Sequence, residues 1–277
     1  MNIRLKPCRF CGEVTAISSK SDAHRLLIAS ALSDRPTFIR CNARSADITA
    51  TVNCLNSLGA DIKFVDGGIS VKPIKEKRKS AVLDCNESGS TIRFLLPVAA
   101  SLGTNTEFTG GGRLPERPLS PLREQMEAHG VVFSPINVFP VKINGEMTSG
   151  EFTIKGNISS QFITGLLFAL PLLHGNSIIN VIPPVESRPY IDMTLNTLKK
   201  FGITVTEKSN SFFIPGGQKY ASPGTVESEG DWSNSAFFLT AGAVSGRVTV
   251  TGLDVSSVQG DKHQNTLPPS DKLRGFC

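Results

Sequence analysis

The sequence predicts an α/β (α+β) protein built by repeating one βαβαββ unit, and three observations carry that expectation. Four small polar clusters, Ser18-Ser19-Lys20-Ser21, Glu87-Ser88-Gly89-Ser90, Ile158-Ser159-Ser160-Gln161 and Gly230-Asp231-Trp232-Ser233, each open an almost wholly apolar stretch. Each stretch closes on a turn and runs into a β-branched segment at a step of roughly 70 residues, and self-similarity at a fixed step is a stronger fold signal than local propensity. Between these stretches lies a second, amphipathic kind of helix ending in CLNSLGADI, QMEAHGVVF and TLKKFGITV, so that Gly59, Gly130 and Gly202 keep the same step as Gly103, Gly175 and Gly246.

Each full unit reads as strand, apolar helix, strand, amphipathic helix, strand, strand. Three units fit between residues 12 and 217, and a fourth begins near Glu227. The apolar helices are LLIASAL, IRFLLPVAASLG, FITGLLFALPLLHG and AFFLTAGAVSG. In the second of these, Phe94, Leu95, Leu96, Val98 and Leu102 leave no polar face, which implies a helix enclosed on all sides. The amphipathic helices place Ile48, Val52, Leu55 and Leu58, then Leu119, Leu122 and Met126, then Ile191, Leu195 and Leu198 at the spacing of one buried face. Strands at Val131-Val132-Phe133, Ile203-Thr204-Val205 and Phe212-Phe213-Ile214 close the units. After a strand at Arg247 to Thr251 the pattern demands another amphipathic helix, but Val258 to Cys277 carries Pro268-Pro269. Proline in a helix interior costs about 3 kcal/mol or more. The fourth unit is therefore expected to stop part-way, giving a complete three-unit domain at 20–228 and an incomplete outer domain at 1–19 and 229–277.

Bulk properties narrow the function. A chain of 277 residues suggests about two domains, and 39% hydrophobic with 19% charged residues is a soluble globular composition. The net charge of +5 mildly favours acidic partners, but no dense Lys/Arg tract with interleaved aromatics speaks for nucleic acid. The greasiest run, Phe162 to Leu173, contains Pro171 and falls short of the ~20 residues that span a bilayer. The N-terminal MNIRLKPCRF lacks the apolar core of a secretion signal. Six cysteines scattered through such a chain read as reduced thiols in the cytosol. Cys8 and Cys11 form one C-x2-C pair, but no second close Cys/His pair follows, so no metal site is expected.

The polar heads are the candidate site. A buried helix leaves its first N–H groups without intrahelical partners, and small polar residues either cap them or leave them for a ligand. Capping alone explains any single head. Several heads assembled by a repeat bring dipoles and donors to one surface suited to phosphate or carboxylate. Lys20 and Arg25 flank the start of the first apolar helix, Arg93 sits just inside the second, and Arg117 follows a glycine-rich turn. Against these stand ordinary readings: Arg93 pairing with Glu87, and Arg117 as a surface residue beside Glu116.

At these residues the chain resembles the 5-enolpyruvylshikimate-3-phosphate synthase (3-phosphoshikimate 1-carboxyvinyltransferase) family. SKSDAHRLLIASAL, ESGSTIRFLLPVAA, LPERPLSPL, ISSQFITGLLFALPL, SRPYIDMTLNTLKKFG and EGDWSNSAFFLTAGA occur in the family's order and cover about residues 15 to 260. The resemblance implies the enolpyruvyl transferase fold, an inside-out α/β barrel whose six βαβαββ units form two halves. It implies transfer of the enolpyruvyl group of phosphoenolpyruvate to the 5-hydroxyl of shikimate 3-phosphate through a tetrahedral adduct, with release of phosphate, in aromatic amino acid biosynthesis. It further implies no cofactor and usually a monomer. By the same resemblance Lys20 touches both substrates and Gln161 lies between them. Ser21, Arg25, Ser159, Ser160 and Ser187 contact shikimate 3-phosphate, while Gly89 and Arg117 hold phosphoenolpyruvate.

The family's catalytic aspartate heads its fifth unit, and a Lys-Glu pair with further cations lies in units five and six. These 277 residues carry no match to them, so the catalytic residues are unassigned and the chain is expected to be a C-terminally truncated form without turnover of its own. Asp231 reads as a helix cap rather than the missing base, and Gln259 to Lys262 as the end of the fourth unit. Two alternatives stand beside this reading: a non-catalytic shikimate 3-phosphate-binding fragment, and the enolpyruvyl transferase acting on UDP-N-acetylglucosamine, against which Lys20 to Arg25, Ser159 to Gln161 and Ser187 to Tyr190 argue.

Overall fold

The computed structural model describes residues 9–135 and 139–262. The chain forms two compact units, Lys20–Ser228 and the paired ends Met1–Ser19 with Glu229–Cys277. Cys8, His263, the Pro268-Pro269 pair and Cys277 lie outside the described residues.

In chain order the elements are β1 (Cys11–Thr15), α1 (Lys20–Ala31), β2 (Thr37–Arg40), α2 (Ala46–Ser57), β3 (Asp61–Val65) and β4 (Gly68–Lys72). Next come β5 (Ser80–Asp84), α3 (Gly89–Ser101), β6 (Asn105–Thr109), α4 (Leu122–Ala128), β7 (Val132–Ser134) and β8 (Val141–Asn144). They are followed by β9 (Glu151–Lys155), α5 (Ser160–Ala169), β10 (Ser177–Ile182), α6 (Arg188–Lys200), β11 (Thr206–Lys208) and β12 (Ser211–Ile214). The chain then runs through β13 (Thr225–Glu227), α7 (Trp232–Ser245) and β14 (Arg247–Thr251).

The larger unit holds three four-stranded sheets of one topology, β13-β2-β4-β3, β5-β6-β8-β7 and β9-β10-β12-β11. In each, the first two strands are parallel and the others antiparallel. The second and third sheets are each built from the four strands of one predicted unit. The first unit, counted from residue 12, is opened by β13 instead of β1: β1, in the segment 1–19 assigned to the outer domain, pairs with β14 from Cys11↔Arg247 to Thr15↔Thr251, and β13 takes the place beside β2. Local pattern does not distinguish these pairings, because linkers of one length, four residues, precede α1, α3, α5 and α7. Partner choice rests on non-local hydrogen bonds. Phe38 N donates to Gly224 O and Ser228 N to Arg40 O, extending the β13–β2 ladder at both ends.

A second correction concerns Ile203-Thr204-Val205, which is not a strand. The Gln218 side chain occupies the place of a neighbouring strand there, accepting from Thr204 N at 2.7 Å and donating to Thr204 O at 3.0 Å, and β11 starts only at Thr206.

The predicted contrast between helix types holds within the larger unit. Ile48, Val52, Leu55 and Leu58 are buried, as are Leu122, Met126, Ile191 and Leu198, with Leu119 and Leu195 partly so. In α3 every residue but Ser90 and Arg93 is buried. It meets α5 closely because Gly165 has no side chain: a Cβ there would run into the Arg93 carbonyl oxygen and lie 3.3 Å from Phe94 Cα.

In the smaller unit, α7 packs on β14, and the two chain segments leading into α1 and α7 pair with each other. Ser19 N donates to Glu229 O at 2.7 Å and Asp231 N to Ile17 O at 2.8 Å. Gln259 is the buried polar centre here, accepting from Trp232 N at 3.2 Å and donating to Gly230 O at 2.9 Å. Among the described cysteines, Cys11 is exposed and Cys41, Cys54 and Cys85 are buried free thiols.

Candidate functional site

The heads of α1, α3 and α5 gather at one end of the larger unit. At α3, Ser88 is the N-cap, its Oγ accepting from Thr91 N at 3.2 Å. Gly89 follows, and the Arg117 guanidinium lies against it so closely that a Cβ on Gly89 would sit 2.5 Å from Nη1. Arg117 is exposed and makes no ion pair with a carboxylate among the described residues, while its neighbour Glu116 pairs with Arg113 at 3.5 Å. The surface-residue reading therefore leaves the position of the Arg117 head unexplained.

At α5, Ser159 is the N-cap and accepts from Gln161 N at 3.2 Å. The Gln161 amide joins two helices: Nε2 donates to Ser90 Oγ and Oε1 accepts from Arg93 Nη1, each at 2.8 Å. Arg93 also donates to Pro118 O at 3.1 Å and lies over the Phe162 ring. The alternative pairing of Arg93 with Glu87 is thus replaced by a bond that orients Gln161. Burial, and then the nearby Arg117 charge, lower the Arg93 pKa.

At α1, Lys20 Nζ is 2.8 Å from Asp47 Oδ2 of α2, in an exposed pair that gains little in stability because water screens it. Arg25 is different, with only 2% of its surface exposed. It donates from Nη1 to Ser21 O at 2.5 Å, from Nη2 to Tyr190 O at 2.8 Å and from Nε to Thr194 Oγ1 at 2.9 Å. Its guanidinium lies between the Phe94 and Tyr190 rings, at 5.3 and 5.9 Å from their centroids. Burial lowers its pKa to about 10, with Asp22 opposing the shift, so the group stays charged at neutral pH. The buried cation is thus held by two carbonyls, the Thr194 hydroxyl and two rings, with the Asp22 charge favouring its protonated form.

The N-terminus of α6 adds Ser187, exposed, at φ 57° and ψ 35°, making no capping hydrogen bond. A non-glycine residue in the left-handed region is strained, and such strain concentrates at ligand sites. Beside it Arg188 is engaged by Asp192 at 2.7 Å and Glu207 at 2.6 Å, which raise its pKa.

The structure thus brings Lys20, Ser21, Arg25, Gly89, Ser159, Ser160, Gln161 and Arg117 to the tips within one unit, with Ser187 on the helix that contacts Arg25. The fourth head belongs to the smaller unit. There Asp231 caps α7, its Oδ1 accepting from Asn234 N at 2.8 Å, as the sequence indicates. Residues overlooked in the sequence are His24, Thr51, Thr91, Thr164 and Thr194, which link the heads from beneath. Their signal was the matching register of Thr51 and Thr194 ahead of Gly59 and Gly202. Among the described residues no His, Cys, Asp and Glu cluster able to hold a metal is found, and no helix is long and apolar enough to cross a membrane.

Repeated βαβαββ units with cations and helix N-termini gathered at one end define a repeat-built α/β protein. The chain belongs to the EPSP synthase (3-phosphoshikimate 1-carboxyvinyltransferase) family, whose sequence model matches residues 6–267. It is 41% identical over 265 residues to the 3-phosphoshikimate 1-carboxyvinyltransferase of Brachyspira hyodysenteriae, covering 95% of this chain and 62% of that protein. The relative from Clostridium acetobutylicum is 41% identical over 268 residues, covering 94% of this chain and 62% of its own length. Among solved structures, an EPSP synthase from Acinetobacter baumannii superposes with a TM-score of 0.73 at 21% identity, covering 87% of this chain and 55% of that one. The chain spans 62% of the length of these curated relatives.

Proposed function

We infer that residues 20–228 form the shikimate 3-phosphate-binding body of an enolpyruvyl transferase, acting in the cytosol on two phosphorylated metabolites. In the whole reaction the 5-hydroxyl of shikimate 3-phosphate gives up its proton as its oxygen bonds to C2 of phosphoenolpyruvate, and C3 takes a proton as the double bond opens. The adduct then loses a proton from the C3 methyl group as the C2–O bond to phosphate breaks, which restores the double bond and releases phosphate. The observation carrying this reading is the Arg117 guanidinium, without a carboxylate partner among the described residues, resting on Gly89 beside the α5 head.

On this reading the Ser159 and Ser160 hydroxyls, Ser187 and the α5 N-terminus take the phosphate, and Ser21 with Arg25 the cyclohexene carboxylate side. Gly89 and Arg117 hold the phosphoenolpyruvate anion. Lys20 leaves Asp47 to reach both ligands, and Gln161, oriented by Arg93, lies between them. Donors placed in advance around developing negative charge are the largest single contribution such a site makes. The resemblance puts the proton-transfer groups in units five and six, and positioned acids and bases are worth about 10²–10⁴ in rate. Residues 1–277 by themselves are therefore assigned ligand binding without turnover.

Calorimetric titration of the 277-residue chain with shikimate 3-phosphate is expected to show saturable binding that Ser160→Ala weakens, with no phosphate released when phosphoenolpyruvate is added. Absence of binding overturns the site. Release of phosphate overturns the assignment of proton transfer to other units.

A further inference from the structure

The three helix tips of the larger unit are tied together by two threonines that occupy one place in the repeat. Thr51 in α2 and Thr194 in α6 each stand eight residues before the glycine that ends their helix, Gly59 and Gly202, and both are fully buried. Thr51 Oγ1 lies 2.8 Å from His24 Nδ1 of α1 and 2.7 Å from Thr91 Oγ1 of α3. Thr194 Oγ1 lies 2.9 Å from Arg25 Nε of α1 and 2.9 Å from Thr164 Oγ1 of α5. The equivalent residue of α4 is Leu122, and there α3 and α5 are joined directly through Gln161. Polar links therefore run from α1 to α3, from α1 to α5 and from α3 to α5, closing a ring around three helix N-termini.

Proton accounting gives each link a direction. Thr194 donates to Tyr190 O at 3.0 Å, so its oxygen accepts from both Arg25 Nε–H and the Thr164 hydroxyl and is fully used. Thr91 donates to Ser88 Oγ at 2.7 Å, so Thr51 donates to Thr91 and His24 donates from Nδ1 to Thr51. His24 is thereby the Nδ1–H tautomer, its Nε2 a buried lone pair without a hydrogen-bond partner. Valine has the shape of threonine and would fill either place without burying a hydroxyl, which is costly unless bonded. The repeated choice of threonine calls for a role beyond filling space.

The geometry points to Thr51 and Thr194 as positioning residues that hold the tips of α1, α3 and α5 in one fixed constellation around the anionic ligand. The inference rests on the shikimate 3-phosphate reading above. Thr194 acts through Arg25 on α1 and Thr164 on α5. Thr51 acts through Thr91 on Ser88, the cap that presents Gly89. Small displacements of binding groups carry large losses, so supporting side chains of this kind decide affinity without touching ligand.

The test uses the 277-residue chain and its Thr194→Val, Thr194→Ser, Thr164→Val and Thr51→Val variants, with circular dichroism as the control for folding. Thr194→Val is expected to bind shikimate 3-phosphate about tenfold more weakly, and Thr194→Ser, which keeps the hydroxyl, within about twofold of the parent. Thr164→Val, which leaves the Arg25–Thr194 bond in place, is expected to lose about threefold. Thr51→Val is expected to shift the Gly89 amide resonance in nitrogen-15 spectra recorded without ligand. Parent-like affinity in Thr194→Val, or serine no better than valine, overturns the inference. Should Thr194→Val fail to fold, parent-like affinity in Thr164→Val overturns it instead. If the parent chain binds no shikimate 3-phosphate, the substrate reading fails, and the Gly89 resonance still decides whether Thr51 sets the α3 head, an unmoved signal counting against it.

Discussion

α3 and α7 are the same kind of segment in the sequence and opposite kinds in the structure. Both follow a polar head and are apolar along their length, and both are capped by a side-chain oxygen, Ser88 Oγ in one and Asp231 Oδ1 in the other. Yet α3 hides all but two of its residues, while in α7 only Trp232 and Ser235 are buried, and Phe237 and Val244 are 77% and 80% exposed. The difference lies in the neighbours. Among the described residues α3 has α2 and α5 beside it and two sheet strands against it, whereas α7 packs chiefly on β14. Hydrophobicity states what a helix needs to bury, and the rest of the molecule supplies the cover.

The largest effect that tests this contrast is a core truncation. Leu95→Ala in α3 is expected to cost about 2–5 kcal/mol in urea unfolding, and Phe237→Ala in α7 under about 0.5 kcal/mol. Equal losses would show that α7 is covered in solution.

The second is a pH effect confined to the α1–α3 link. Burial lowers the His24 pKa from 6.5 to about 3, with Asp47 opposing the shift and Arg25 and Lys20 adding to it. The unfolded chain binds a proton that the folded one refuses, so this contribution is complete above pH 6.5 and is lost as pH falls toward 3. The loss is at most about 1.4 kcal/mol per pH unit. Between pH 7.5 and 5 the chain is expected to lose about 1–2 kcal/mol more than its His24→Asn variant, which keeps a donor for Thr51 but does not titrate. Parallel pH profiles would count against a neutral buried His24.

The third separates the two ligands. In Gly89→Ala the new Cβ meets the end of a flexible side chain, so Arg117 moves rather than α3. Phosphoenolpyruvate affinity, read by titration with shikimate 3-phosphate present, is expected to fall about tenfold, with shikimate 3-phosphate affinity unchanged. Loss of both affinities would mean the helix itself had shifted. The smallest effect is at the α7 cap: Asp231→Ala should lower protection of the first α7 amides against hydrogen exchange by about 1 kcal/mol. A loss extending into α3 would contradict their independence.

Much of the α3–α5 half of the site was legible in the sequence because its signals are local. A polar head followed by an apolar run marks a buried helix start, and Ser88, Ser159 and Asp231 all prove to be caps. Placement of Gly89 and Arg117 together was not legible from spacing alone. It depends on the short turn Leu114–Glu116 folding back so that Arg117 meets the helix. Arg93 was balanced between two roles in the sequence, and only the distance to Gln161 assigned it. Thr51 and Thr194 share a register ahead of Gly59 and Gly202, but which groups a threonine in an amphipathic helix faces is decided by the neighbouring helices.

The repeat, the two helix classes, the capped heads and most of the strands follow from the order of residues, since each depends on contacts within one turn or one unit. The places of β1 and β13 were settled by partners far away in the chain, the exposure of α7 by what covers it among the described residues, and the missing strand at Ile203–Val205 by the Gln218 side chain. Linkers of one length, four residues, lead into all four apolar helices, so local pattern leaves the pairing of the preceding strands open, and hydrogen bonds formed only in the folded chain choose between them.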